Sequence, residues 1–73
     1  MDAYENLANA IVVRAAEDYR EALKALNLNR EDRDALAMKK DCERFFQSAW
    51  FAVLTEVDGS WLMRKLKGEA RTV

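Results

Sequence analysis

Histidine and proline are absent from this 73-residue chain, which has a single cysteine and two glycines. Without histidine, the chain lacks the commonest general base and the commonest metal ligand. With Cys42 as its one thiol, it can form neither an intramolecular disulfide nor a thiolate zinc site by itself. Cys42 falls in a helical pattern and reads as a small buried hydrophobe. A lone thiol, with no segment that reads as a signal peptide, points to a reducing compartment and a cytoplasmic location.

Catalytic chemistry is equally poorly supplied. Ser48 and Ser60 have no histidine to activate them. Glu43, Glu56 and Asp58 would need a desolvated cleft to act as an acid–base pair, and a helical domain this small has little room for one. There is no phosphate-cradling glycine loop, dinucleotide fingerprint, calcium-hand loop or zinc motif. The chain therefore reads as a non-enzyme, with no metal and no cofactor implied.

Long apolar runs are also missing. Neither residues 10–13 nor the longest stretch, residues 49–54, approaches the ~18 residues that a membrane span requires. Twelve basic and thirteen acidic residues give a net charge of −1, which argues against general nucleic-acid binding. The charge is uneven, however. Residues 61–73 hold Arg64, Lys65, Lys67 and Arg71 against Glu69, a net +3 on an otherwise −4 body. This reads as a solvated helix end.

What is present is helical periodicity in one domain over residues 1–73. Tyr4, Leu7, Ala8, Ile11, Ala15, Tyr19, Ala22, Leu23 and Leu26 recur at steps of three and four, predicting an amphipathic helix over 2–26. Arg14–Asp18 and Glu21–Lys24 pair along its polar face. Asn27 is expected to end this helix in a left-handed conformation and Asn29 to cap the next. The second helix is expected over 30–47, antiparallel to the first, with Ala35, Met38, Cys42, Phe45 and Ala49 facing inward and Leu36 and Phe46 beside them. Ser48 reads as a fresh N-cap for a short helix over 49–55, with a continuous second helix as the alternative. Asp58 caps a last helix over 59–67, Gly68 stops it, and 69–73 is expected to fray. The fold class is all-α: a helical hairpin followed by one or two short helices.

The aromatic residues are the densest feature. Successive helical residues point about 100° apart, so Phe45 and Phe46, or Trp50 and Phe51, cannot all face one two-helix core. Either the short helices wrap around this cluster, or some of it forms a contact surface. Phe46, Trp50, Phe51 and Trp61 are the candidate partner-binding residues, and a two-fold homodimer is the expected assembly. An alternative site combines Tyr19, Arg20, Arg44, Arg64 and Lys65, where cations beside aromatic rings would hold a nucleotide. The same basic side chains can simply lay their stems over apolar surface.

Two stretches, NAIVVRAAEDYREALKAL (residues 9–26) and ERFFQSAWFAVLTEVDGSWLMRKLKGE (residues 43–69), resemble a family of small uncharacterised proteins. These are encoded in prophages and integrative mobile elements of gut Gram-positive bacteria. The likeness is most specific at Asp18-Tyr19-Arg20, Arg44-Phe45-Phe46, Ser48, Trp50-Phe51, Leu54-Thr55 and Asp58-Gly59. It implies no catalytic residue. It implies an accessory protein that acts by binding, either blocking a host defence component or sequestering a signalling nucleotide. Three functions follow as expectations: a protein–protein interaction module first, a nucleotide-binding oligomer second, and a small nucleic-acid-binding regulator third. The third lacks a helix with a basic recognition face.

Overall fold

The computed structural model describes the backbone of residues 3–71 and the side chains of residues 6–70. Asp2, expected to open the first helix, lies outside the described residues, as do the tail residues Thr72 and Val73 and the side chains of Tyr4 and Arg71. Every regular element among the described residues is a helix: α1 (Ala3–Leu28), α2 (Arg33–Phe46), α3 (Ala49–Leu54) and α4 (Gly59–Arg71). This is the all-α hairpin expected, followed by two further helices.

At ~1.5 Å per residue α1 is about 39 Å long, close to the 41 Å long axis of the whole molecule. It runs past its expected end to Leu28. No described residue takes a positive φ, so Asn27 does not form the left-handed stop. Its side-chain amide instead donates to the Ala70 carbonyl at 3.2 Å. Asn29 is not the next cap either. Its side-chain oxygen accepts from Glu31 N at 3.0 Å, closing a local turn. Asp32, in extended conformation, accepts from Ala35 N and caps α2. Residues 30 and 31 therefore belong to the connection.

α2 buries Ala35, Cys42 and Phe46. Met38 and Leu36 remain exposed and Phe45 is half-buried, so the inward stripe is centred one residue later than expected. Phe46 packs on Tyr19, and the break at Ser48 places Ala49 in the next helix. Ser48 Oγ accepts from Phe51 N at 3.1 Å and donates to the Phe45 carbonyl at 2.7 Å, closing one helix and opening the next. α3 ends at Leu54, and Thr55 is already extended.

Asp58 begins α4: its carboxylate accepts from Ser60 N at 2.9 Å and its carbonyl from Leu62 N at 3.0 Å. Gly68 does not stop this helix, which continues to Arg71. A helical glycine costs only about 1 kcal/mol. Against that stand an ion pair from Arg20 to Glu69, the Asn27 bond to Ala70, and Ala70 packed on the core. Residues 69–71 are thus helix, contrary to the expected frayed tail.

The core gathers Tyr19, Leu23, Cys42, Phe46, Phe51, Met63 and Leu66, with Phe45, Leu62 and Ala70 packed against it. Edge-on ring contacts join Tyr19 to Phe46, Phe46 to Phe51, and Phe45 to both Phe51 and Trp50, with centroids 5.5–5.8 Å apart. The fold-back at Ser48 lets adjacent aromatics serve one cluster. The start of α4 also abuts the end of α2 so closely that a Cβ on Gly59 would collide with the Phe46 carbonyl.

Candidate functional site

Two features compete as the working part of the molecule, a polar knot between helices and an exposed aromatic face. The knot is built on Tyr19, whose ring is fully buried and whose hydroxyl donates to Glu43 Oε2 at 2.7 Å. The same carboxylate oxygen receives Lys39 Nζ at 3.2 Å from one turn earlier on α2, and Lys67 Nζ at 3.6 Å from α4. Burial pushes the Tyr19 phenol far above its ordinary value, and the adjacent carboxylate adds to this. Burial also opposes charge on Glu43, but the Tyr19 hydroxyl, Lys39 and Lys67 together outweigh it and hold the carboxyl below its usual range. The result is a neutral phenol and an ionised carboxylate over the whole physiological range. Such a pair ties three helices together and has no proton poised for transfer near neutral pH.

The five candidate ligand-binding residues divide between core and surface. Tyr19 is in the core, where no ligand reaches its ring. Arg20 points outward and pairs with Glu69 at 3.0 Å. It lines a cavity of about 180 Å³ with Lys24, Leu66, Glu69 and Ala70, which Tyr19 does not enter. Arg44 and Arg64 are exposed. Lys65 lies 5.5 Å over the Trp61 ring, a cation–π contact within one helix.

The candidate partner-binding residues separate cleanly. Phe46 and Phe51 are 3 % and 2 % exposed and belong to the core, so they offer no surface. Trp50 and Trp61 are 57 % and 48 % exposed. Trp50 and Phe51 are 100° apart on α3, so burying one turns the other outward. Leu7, expected on the inward stripe of α1, is exposed, as are Val13, Val53 and Val57, none of them among the candidate partner-binding residues. Val53 stands three residues after Trp50, the spacing that places two helical side chains on one face.

Six of the nine exposed large apolar side chains lie in the N-terminal half of α1 or within residues 50–61. α3 follows the end of α2 and packs on α1. Within these segments residues 6–13 and 45–55 contain no Asp, Glu, Lys or Arg, and Arg14, Glu56 and Asp58 border them. In a chain that is 34 % charged, this is a marked segregation.

Comparison with protein-family models, curated proteins and solved structures finds no match to this chain. Among the described residues there is no group of metal-ligating side chains, and no helix is long and apolar enough to cross a membrane.

Proposed function

We propose that this protein is a non-enzymatic helical interaction module that works by docking its exposed aromatic face onto a protein partner. The observation that carries this reading is the outward placement of Trp50 and Trp61 in a domain that buries every phenylalanine at least partly. Tryptophan is an interface anchor of high yield, and clustered apolar exposure marks contact surfaces. The resemblance read from the sequence supplies a setting, an accessory protein of a phage or mobile element. In that setting the partner is a host component, such as a defence protein, met in the cytoplasm.

The test is partner capture from the host with the wild-type chain and with Trp50→Ala and Trp61→Ala. Both side chains are about half exposed or more, so the helical circular-dichroism signal is expected to survive. Loss of the partner with either variant supports the reading. A partner held equally by wild type and both variants contradicts it.

One observation favours a second reading, nucleotide sequestration: the Lys65 ammonium already stacked on Trp61, a pairing of charge and ring that nucleotides also recruit. The burial of Tyr19 and the pairing of Arg20 weaken it. A ligand present at about 100 times its dissociation constant adds about 2.7 kcal/mol of apparent stability. No rise in melting temperature with cyclic dinucleotides or mononucleotides removes this reading.

A further inference from the structure

We infer that residues 69–71, the turn of α4 beyond Gly68, act as a salt-sensitive strap. The strap closes the cavity between α1 and α4, and it opens while the rest of α4 stays in place.

Gly68 divides α4 into two unequally held parts. Before it, Met63 and Leu66 are buried in the core, and Lys67 reaches the Glu43 carboxylate at 3.6 Å. Beyond it, Glu69 is exposed and Ala70 only half-buried. Glycine is the weakest helix former after proline. Nothing lies within 4 Å of a Cβ placed at Gly68, so no packing at that position offsets the weakness.

Polar contacts from α1 hold the turn instead. Arg20 Nε donates to Glu69 Oε2 at 3.0 Å, and the Asn27 amide donates to the Ala70 carbonyl at 3.2 Å. That carbonyl is one of the last four of α4, which have no acceptor role within the helix, so Asn27 caps α4 from a different helix. The Arg20 guanidinium also suits the negative end of the helix dipole. Both side chains of the ion pair are 46 % exposed, so water and salt screen it and it holds weakly. A turn held in this way opens at low cost relative to the core. What it covers is apolar. Arg20, Lys24, Leu66, Glu69 and Ala70 line the cavity of about 180 Å³, and Lys24 and Ala70 also border a second hollow with Asn27 and Leu28. Ala70 is a wall of both, so lifting residues 69–71 joins the two hollows and uncovers Leu66.

Amide-resolved hydrogen exchange of the full chain tests this, with wild type and Glu69→Gln compared at about 0.01 M and about 1 M salt. The Debye length falls between these from about 30 Å to about 3 Å. Amides 69–71 bond to carbonyls 65–67, across Gly68 or beside it, whereas amides 63–66 bond to carbonyls 59–62. In wild type, high salt is expected to lower protection at 69–71 about three-fold or more and to leave 63–66 unchanged. Glu69→Gln is expected to show the lowered protection at 69–71 at both salt concentrations. Protection at 69–71 that is the same at both concentrations in wild type, or a salt effect that persists in Glu69→Gln, overturns the inference. So does a loss shared equally by 63–66, because α4 would then open as a whole.

Discussion

Tyr19 on α1 donates its hydroxyl to Glu43 on α2 across 2.7 Å, joining positions 24 residues apart in sequence. The bond sits where α1, α2 and α4 meet, because Lys67 reaches the same carboxylate from α4. Tyr19→Phe keeps the ring on Phe46 and removes only the donor. The expected loss is about 1–2 kcal/mol, since the acceptor is charged but water can still reach it. Glu43→Ala should cost more, because it leaves a buried hydroxyl without a partner. Urea unfolding of the two variants checks the order, and a silent Tyr19→Phe would show that the bond contributes nothing.

The same pair sets both limbs of the pH–stability profile. Glu43 has a folded pKa below its unfolded value of about 4.3. Its contribution is therefore present above that value and lost as pH falls through the folded pKa. Tyr19 is raised, so its contribution is complete below about pH 10 and disappears as pH climbs further. Cys42, raised by burial and then by Asp18, behaves in the same sense from about pH 8.5 upward. Glu43→Gln should flatten the acid limb, and Cys42→Ala should move the alkaline onset upward. Urea midpoints measured across the pH range report both.

The two glycines of α4 have opposite roles. Gly59 meets the Phe46 carbonyl where a Cβ would sit, so Gly59→Ala must push α4 off α2. A loss of more than about 2 kcal/mol is expected, in the range of overpacked core sites. Gly68 has open space around it and ordinary helical φ, so Gly68→Ala should stabilise by about 0.5–1 kcal/mol. Thermal unfolding separates the two. Equal effects would mean that the α2–α4 contact is not tight.

Local signals were readable and long-range ones were not. Ser48 and Asp58 act through hydrogen bonds two or three residues away, so their capping chemistry is visible in the sequence. Asn29 and Asp32 both qualify as caps; Asn29 closes the turn, and nothing local distinguishes the two. Gly68 reads as a stop only until Arg20 and Asn27, more than forty residues away, hold the last turn in place. The Tyr19–Glu43 pair was within reach: a hairpin turning near residue 31 sets position 19 opposite position 43, and a tyrosine on an apolar stripe needs a polar partner. The choice of Trp50 for the surface and Phe51 for the core depends on which side of α3 meets α1, and that is tertiary information.

The emission of Trp50 reports directly on whether the exposed aromatic face of this protein is a contact surface. In Trp61→Phe, Trp50 is the single tryptophan, and it is 57 % exposed in the isolated chain. The expected result is emission that moves to shorter wavelength when a captured partner is added and covers the face. Long-wavelength emission unchanged on addition of that partner would show that the face is not the contact.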